Sequence, residues 1–433
     1  MYNFLLENPK PSKAEIENCL DGNICRCTGY RSILDAWQSF SADEKPIDIE
    51  ELYKLKCLNG SNKRCDSSSK KKIHIINGSQ EWYYPKTLLD LFDLLVQYQS
   101  APYKIVSGGT GVGVFKTDGP FDVFIDIRSI PDFYLISRQQ QSLSLGSMTP
   151  LAKLISVCND FSSNVGFEYL KEITVHWNKI ANRHVRSVGT WAGNLMIKYY
   201  HPEFPSDLFI TLETVNAKIL VIGPDKDTPP LLLSPANLLT NSLRGRTLYS
   251  LTFQPYDKQT TFIKTYKISL RPQNSHAYVN AGFRFEINPS SFQVKSLPTI
   301  VFGGISSQFV HAINTERFLL GKNLNDPDIL KTALSILNDE IAPDNDPVSA
   351  DPNFRRTLAC SLMYKFILFV NKDSINPRLL NAIDSLVDTR QLSSGIESYS
   401  DNPSYYPVTK KMTKLNAILQ ASGINLNDIY NIT

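Results

Sequence analysis

A glycine-rich run, Ser107-Gly108-Gly109-Thr110-Gly111-Val112-Gly113, directly follows a predicted strand at residues 103–106. Glycine has no Cβ atom, so several backbone N–H groups of such a run can converge on one anion. The run therefore favours a phosphate-binding loop, and a glycine-rich turn between two strands is the alternative. The dinucleotide fingerprint of doubly wound folds is not matched, because Val114-Phe115-Lys116 does not begin an obvious helix.

A second run of small residues, Ser187-Val188-Gly189-Thr190-Trp191-Ala192-Gly193-Asn194, offers the same chemistry further along the chain. Its backbone amides and polar side chains supply hydrogen-bond donors at close quarters. Two such runs in one α+β segment suit a ligand that carries a pyrophosphate. Asp207 follows a turn with two prolines. It either accepts from a ribose hydroxyl or caps a helix beginning near Leu208, and capping is the favoured role for this aspartate considered alone.

Two cysteines, in the sequence Cys25-Arg26-Cys27, lie between two predicted helices. Positions i and i+2 do not share a helix face, so both thiols can converge only in a loop. Iron–sulfur clusters typically use four thiolates, and only these two are suitably placed. Zinc bound with the help of Cys19 lacks the usual two-knuckle spacing. A pair of ordinary buried thiols is the other alternative.

The elements that must position these residues alternate between helical and strand patterns. Ser12 and Glu15 form a capping-box pattern ahead of a short helix. Residues 82–223 mix helices and strands, and helices are predicted over 329–337 and 354–370. Residues 247–305 are β-rich, with the alternation of strands in 262–266 and 282–287. The predicted fold class is α+β.

Composition excludes several classes of protein. The 433 residues are 42% hydrophobic and 20% charged, which is typical of a globular chain of two to four domains. A net charge of +3 gives no general electrostatic case for binding nucleic acid or a membrane. No apolar run approaches the ~18 residues of a membrane helix.

Cysteine usage and the N-terminal residues indicate the compartment. The seven cysteines are odd in number and irregularly spaced, unlike a secreted disulfide framework. The N-terminal residues have no basic region followed by a small-residue cleavage site, so they do not form a signal peptide. The expected location is the cytoplasm, with the peroxisome as the alternative.

Taken together, these segments resemble the aldehyde oxidase and xanthine dehydrogenase family of molybdenum hydroxylases over nearly the whole chain. Residues 15–17 and 22–31 are similar to the second half of that family's helical [2Fe-2S] domain. Residues 105–113 are similar to its first FAD pyrophosphate loop, and residues 187–194 to its second. Residues 303–305, 309–312 and 354–356 are similar to the C-terminal part of its flavoprotein domain.

The resemblance implies non-covalent binding of FAD and assigns particular residues to it. The implied FAD contacts are Ile105, Val106, Ser107, Gly108, Gly109, Thr110, Gly111, Val112, Gly189, Thr190, Gly193, Asn194, Asp207, Leu248 and Lys267. Cys25 and Cys27 would be two of the four ligands of a [2Fe-2S] cluster. No catalytic residue is implied.

The resemblance also implies a domain order. Residues 1–45 would be a partial [2Fe-2S]-binding helical domain, and residues 46–75 a linker. Residues 76–257 would form a two-subdomain FAD-binding domain of the PCMH type. Residues 258–375 would form a smaller α+β domain like the C-terminal domain of the CO dehydrogenase flavoprotein, and residues 376–433 a linker toward a molybdenum domain.

The ferredoxin-like domain, the upstream Cys-x-x-Cys pair and the molybdenum domain of the family are not matched by this sequence. The chain is therefore expected to be the FAD-binding electron-transfer section of an oxidoreductase, without molybdopterin, that needs the missing domains or partner chains. The alternative is a catalytically inactive FAD-binding remnant. The residues leave open whether the substrate is an aldehyde or a purine and whether the acceptor is dioxygen or NAD.

Overall fold

The computed structural model describes residues 2–19, 31–42, 73–115, 118–271, 274–346, 349–383, 402–410 and 412. The chain divides into one unit formed by residues 1–69 and 389–433 and a second formed by residues 70–388. Cys25 and Cys27 lie outside the described residues, so their proposed role as cluster ligands stays a prediction.

In the first unit the described residues include the short helices α1 (Tyr2–Glu7), α2 (Lys13–Cys19) and α3 (Arg31–Gln38). The predicted capping box is confirmed at the start of α2. The backbone N–H of Ser12 donates to Glu15 Oε2 at 2.7 Å, and the Glu15 N–H donates to Ser12 Oγ at 3.3 Å. These reciprocal bonds satisfy two N–H groups that a helix start would otherwise leave without partners.

The second unit begins with a four-stranded sheet and one helix. In chain order these are β1 (Ile73–Asn77), β2 (Gln80–Tyr84), α4 (Leu88–Gln97), β3 (Tyr103–Val106) and β4 (Val123–Asp126). The strand order is β1-β2-β4-β3, and β4 is parallel to both of its neighbours. Leu91 and Leu95 of α4 pack with Val123 and Ile125, which fixes the direction in which β3 enters the glycine-rich run.

A five-stranded antiparallel sheet follows, in the order β5-β6-β9-β7-β8. Helices from the long connection between β6 and β7 cover it, and their apolar faces join the strands in one core. The elements are β5 (Ile136–Gln139), β6 (Ser142–Gly146), α5 (Leu151–Phe161), α6 (Tyr169–Trp177), α7 (Arg183–Val188), α8 (Trp191–Tyr200), α9 (Asp207–Thr214), β7 (Lys218–Ile222), β8 (Leu231–Leu233), α10 (Pro235–Thr240) and β9 (Thr247–Phe253).

The third sheet is a four-stranded antiparallel meander, in the order β10-β11-β12-β13, followed by three helices. One face carries an aromatic cluster that packs on the last helix, where Phe283 stacks on Phe366 with 5.0 Å between ring centroids. The elements are β10 (Thr261–Ser269), β11 (Ala277–Glu286), β12 (Thr299–Gly303), β13 (Val310–His311), α11 (Ile313–Leu319), α12 (Pro327–Glu340) and α13 (Pro352–Val370).

The opposite face of the third sheet lies directly against α9, which is buried along its whole length. The approach is close because a glycine faces the helix. A Cβ atom added at Gly282 would lie 1.7 Å from Thr214 Oγ1. Arg284 Nε also donates to the Thr214 carbonyl at 2.9 Å. α9 is therefore enclosed between the five-stranded sheet with its covering helices and the third sheet. Its first residues lie where these two layers meet.

The predicted α+β class is confirmed, and the strands and helices predicted over residues 247–305, 329–337 and 354–370 are present. The proposed domain boundaries stay predictions. Within the described ranges, none of the helices is both long enough and apolar enough to span a membrane.

Candidate functional site

The first glycine-rich run forms a tight turn at the end of β3. The Val114 N–H donates to the Gly111 carbonyl at 3.0 Å, and the Val112 N–H donates to the Gly109 carbonyl at 3.3 Å. Gly109 has φ +68°, in the left-handed region that glycine adopts without steric cost. The run is thus a loop, as predicted, and the described residues that follow it, 114–115 and 118–122, are not helical.

The second run is a break between two helices rather than a continuous loop. α7 ends at Val188, and Thr190 is the N-cap of α8, with its Oγ1 accepting from the Gly193 N–H at 3.0 Å. Residues 191–194 therefore belong to the first turn of α8. Helix N-termini present unpaired N–H groups and the positive end of the helix dipole, which attract anions.

The two runs meet and form one surface, the glycine cradle, made of residues 107–111 and 189–193. Ser107 Oγ lies 3.5 Å from Thr190 Oγ1. A Cβ atom at Gly108 would lie 2.3 Å from the Val188 carbonyl oxygen, and one at Gly189 would lie 3.0 Å from Thr110 Oγ1. Only glycine allows these two backbones to approach so closely.

Ser206 connects the glycine cradle to the start of α9. Its hydroxyl donates to Asn194 Oδ1 at 2.6 Å and accepts from the Phe209 N–H at 3.0 Å. Ser206 is thus the N-cap of α9, and the capping role that the sequence favoured for Asp207 is wrong. Asp207 is the first residue of the helix, so its side chain is available for tertiary contacts.

Those tertiary contacts form a buried polar cluster of His176, Asp207, Lys267 and Asn280. Lys267 Nζ donates to Asp207 Oδ2 at 2.7 Å and to the carbonyl of Lys179 at 3.0 Å. The side chains of Lys267 and Asp207 are only 2% and 7% exposed. Burial alone would raise the pKa of Asp207, but the adjacent Lys267 ammonium and His176 together outweigh burial and hold that pKa well below its usual range.

Two residues of the cluster were not predicted from the sequence. Asn280 Nδ2 donates to Asp207 Oδ1 at 3.0 Å, and His176 Nε2 lies 3.4 Å from the same oxygen. His176 Nδ1 and Asn280 Oδ1 are buried without a hydrogen-bond partner among the described residues. No local pattern identifies these two side chains, because their relation to Asp207 exists only once α6, α9 and β11 have packed together.

The structure brings most of the predicted site residues together. Residues of both glycine-rich runs line the cradle, and Asn194, Asp207 and Lys267 continue from it through Ser206. Ile105 and Val106 are the last residues of β3, and Val112 is 60% exposed beside the cradle's first run. Leu248, in β9, is 3% exposed and lies in the core of the second sheet. Their contacts with a ligand stay predictions.

The donor set fits a dinucleotide. Backbone N–H groups at the cradle and at the start of α8 match the oxygens of a pyrophosphate, and Gly108 and Gly189 allow the two runs to approach each other closely. Asp207 and Lys267 add one acceptor and one cation at the far side of Ser206. Among the residues that the structure describes, no group of three or more His, Cys, Asp or Glu side chains could hold a metal ion.

A second, partly buried ion group lies at the other end of α9. His311 Nε2 is 3.6 Å from Glu213 Oε1, and His311 Nδ1 is 2.8 Å from Glu316 Oε1, although the latter atoms are not aligned for a hydrogen bond. Burial would lower the pKa of His311, but the two carboxylates outweigh burial and raise it to about 9. His311 is thus a cation at neutral pH that joins α9 to β13 and α11.

This histidine should make stability depend on pH. Its folded-state pKa is raised above the ordinary 6.5, so its pairing stabilises the fold fully below pH 6.5 and is lost as pH rises through about 9. We expect His311→Asn to lower the free energy of unfolding by about 1–3 kcal/mol at pH 6. The difference from wild type should shrink by pH 10. Urea unfolding at both pH values measures it, with the exposed His184→Asn as control. A deficit equal at both pH values would contradict the assignment.

Models of known protein families match successive segments of this chain. Residues 76–231 match the model of the FAD binding domain in molybdopterin dehydrogenase, and residues 264–370 match that of the CO dehydrogenase flavoprotein C-terminal domain. Residues 1–38 match the model of a [2Fe-2S] binding domain.

The chain is also similar to individual aldehyde oxidases. An indole-3-acetaldehyde oxidase of Arabidopsis thaliana is 30% identical over 460 residues, covering 94% of this chain and 33% of the relative. The abscisic-aldehyde oxidase of the same plant is 27% identical over 457 residues, covering 95% of this chain and 33% of the relative. The chain therefore spans about a third of the length of these relatives.

Two solved structures share the fold. A CO dehydrogenase chain from Oligotropha carboxidovorans has a TM-score of 0.54 at 19% identity, covering 67% of this chain and 96% of that chain. A chain of quinoline 2-oxidoreductase from Pseudomonas putida 86 has a TM-score of 0.54 at 18% identity, covering 68% and 97%.

The fold and the glycine cradle thus define a flavoprotein of the kind found in molybdopterin dehydrogenases, with an FAD-binding domain followed by a flavoprotein C-terminal domain. The chain carries the FAD-binding domain and the flavoprotein C-terminal domain of aldehyde oxidase and CO dehydrogenase-like enzymes.

Proposed function

We propose that this chain binds one FAD at the glycine cradle and the buried polar cluster, and that it serves as the flavin section of an oxidoreductase. The observation that carries the proposal is the meeting of the two runs, because a Cβ atom at Gly108 would lie 2.3 Å from the Val188 carbonyl oxygen. This close approach places the backbone N–H groups of both runs side by side, and such a set of N–H groups binds the oxygens of a pyrophosphate.

Each part of the site has a proposed task. Backbone N–H groups of residues 107–111 and of the first turn of α8 hold the pyrophosphate oxygens. Asp207 accepts from a hydroxyl of the ligand, and Lys267 supplies a fixed cation beside it. Bound FAD supplies the ability to accept and release electrons. Burial of Asp207 and Lys267 keeps water out of their contact and holds both side chains in one arrangement.

We further propose that the electrons come from a molybdenum site on other segments or partner chains, as the matched model of an FAD binding domain in molybdopterin dehydrogenase suggests. A [2Fe-2S] cluster bound by Cys25 and Cys27 would need its other ligands from the same segments or partner chains. A catalytically inactive FAD-binding protein is the second candidate function. The proposed location is the cytoplasm, with the peroxisome as the alternative. Flavin reduction on addition of an aldehyde and a molybdenum-containing partner would support the first candidate over the second.

The direct test is the flavin content of the purified chain. We expect a yellow protein that releases FAD, rather than FMN, on denaturation, because the cradle recognises a pyrophosphate and binds it without a covalent link. Absorbance near the flavin bands and chromatography of the released cofactor measure this. Folded protein that is colourless and does not quench the fluorescence of added FAD would rule the proposal out.

A further inference from the structure

Asn280 and Gly303 are directly opposite each other on β11 and β12. Asn280 is fully buried, and its side chain occupies the space in which any residue other than glycine at position 303 would place its Cβ atom. A Cβ atom at Gly303 would lie 2.2 Å from Asn280 Oδ1. The glycine therefore provides the space in which the Asn280 side chain rests, on the face of the third sheet that meets α9.

From this position the Asn280 amide reaches two acceptors near the start of α9. Nδ2 donates to Asp207 Oδ1 at 3.0 Å and to the Pro205 carbonyl at 3.4 Å. A carboxylate only accepts hydrogen bonds, so an amide turned the other way would place oxygen against oxygen. The orientation of Asn280 is therefore dictated by the charge on Asp207.

The contacts on Asp207 divide between its two oxygens. Oδ2 receives the Lys267 ammonium, whereas Oδ1 receives Asn280 and faces His176. Asn280 thus holds the carboxylate in the rotation that aims Oδ2 at Lys267. Both Asn280 and Lys267 come from the third sheet, and Asp207 comes from the helix that leads from the glycine cradle.

We propose that Asn280, seated over Gly303, is a positioning residue for FAD binding. It orients Asp207, and through it Lys267, so the third sheet completes a site that the glycine cradle begins. This inference rests on the proposed binding of FAD at the cradle. Asn280 itself acts through Asp207 and is not assigned a contact with the cofactor.

Two variants test the assignment in the full chain. Asn280→Leu removes both donors at similar size, and we expect it to weaken FAD binding about 10-fold or more, since hydrogen bonds to charged groups are the strong ones. Thr265→Val is the matched control, because Thr265 is buried two residues before Lys267 and its hydroxyl has no partner among the described residues. The control should bind FAD as wild type does. Fluorescence titration with FAD measures both.

A second variant separates positioning from packing. Asn280→Asp keeps the shape but places an acceptor against Asp207, so FAD binding should be weak at pH 8. Binding should recover as pH falls, because the introduced carboxyl then becomes protonated and can donate to Asp207. Asn280→Leu should show no such recovery. If Asn280→Leu does not fold, this pH profile still decides the question.

The outcomes distinguish this inference from the function on which it rests. Wild-type protein that does not bind FAD would contradict the proposed function. Wild-type protein that binds FAD, together with an Asn280→Leu variant of equal affinity or an Asn280→Asp variant with no pH-dependent recovery, would overturn the role of Asn280 alone. In an Asp207→Asn background, Asn280→Leu should cost clearly less than in wild type, since the residue then has no carboxylate to orient.

Discussion

Replacing Lys267 by methionine is expected to lower the free energy of unfolding by about 3–5 kcal/mol and to weaken FAD binding more than about 100-fold. The reason is the burial of its partner. Asp207 is 7% exposed and lies 2.7 Å from the ammonium, so the variant would leave a carboxylate in the interior without a cation. Urea unfolding and FAD titration measure the two effects.

Lys264→Met is the matched control on the same strand. Lys264 pairs with Glu172 at 2.8 Å, but the two side chains are 20% and 29% exposed, so solvent screens the pair. Its loss should cost about 1 kcal/mol or less and leave FAD binding unchanged. Equal effects of the two substitutions would show that burial of the Lys267 pair has no special weight.

The pH dependence of the same pair follows from the sign of the shift. The folded-state pKa of Asp207 lies below its ordinary value, so the pair stabilises the fold above pH 3.8 and the contribution is lost as pH falls through the lowered pKa. In Lys267→Met the main cause of that lowering is removed, and protonation of Asp207 relieves the charge that has lost its cation. We therefore expect the deficit of the variant to shrink between pH 7 and pH 4. Lys267→Met combined with Asp207→Asn should unfold at higher urea than Lys267→Met alone.

Local sequence was sufficient for the parts of the fold whose cause is local. The Ser12–Glu15 capping box and the strand ending at Val106 were both predicted, because their hydrogen bonds and periodicity lie within a few residues. The same holds for the glycine-rich turn after Val106. The prediction of a loop at the second run is only partly confirmed, because the hydrogen bond from the Gly193 N–H to Thr190 Oγ1 makes residues 190–194 the start of a helix.

The rest of the site depends on contacts between residues far apart in the chain. Asn280 meets Asp207 across 73 positions of sequence, and Lys267 meets it across 60. Nothing in the neighbourhood of Asn280 distinguishes it from an ordinary strand residue. The sequence alone does not identify Ser206 as the helix cap, because its neighbour Asp207 is an equally good cap by residue type. Tertiary packing decided between them.

Gly108→Ala is expected to weaken FAD binding about 100-fold while leaving a folded protein. The added Cβ atom would lie 2.3 Å from the Val188 carbonyl oxygen and 2.9 Å from its carbon, and both are backbone atoms that cannot rotate away. The two runs must therefore separate by about 1 Å, a displacement that typically costs about 100-fold in a positioned site. Overpacking of this kind costs roughly 1–3 kcal/mol in stability.

Two other glycines separate this clash from simple backbone strain. Gly109 and Gly78 have φ values of +68° and +62°, and a Cβ atom at either would have no neighbour within 4 Å. Alanine at each position should cost about 1–2 kcal/mol for the left-handed conformation alone. Gly78→Ala, in the β1–β2 turn, should then bind FAD normally, Gly109→Ala should bind it less well, and Gly108→Ala should bind it most weakly of the three. If Gly108→Ala retained wild-type affinity in the same titration, the close approach of the two runs would not be what forms the phosphate site.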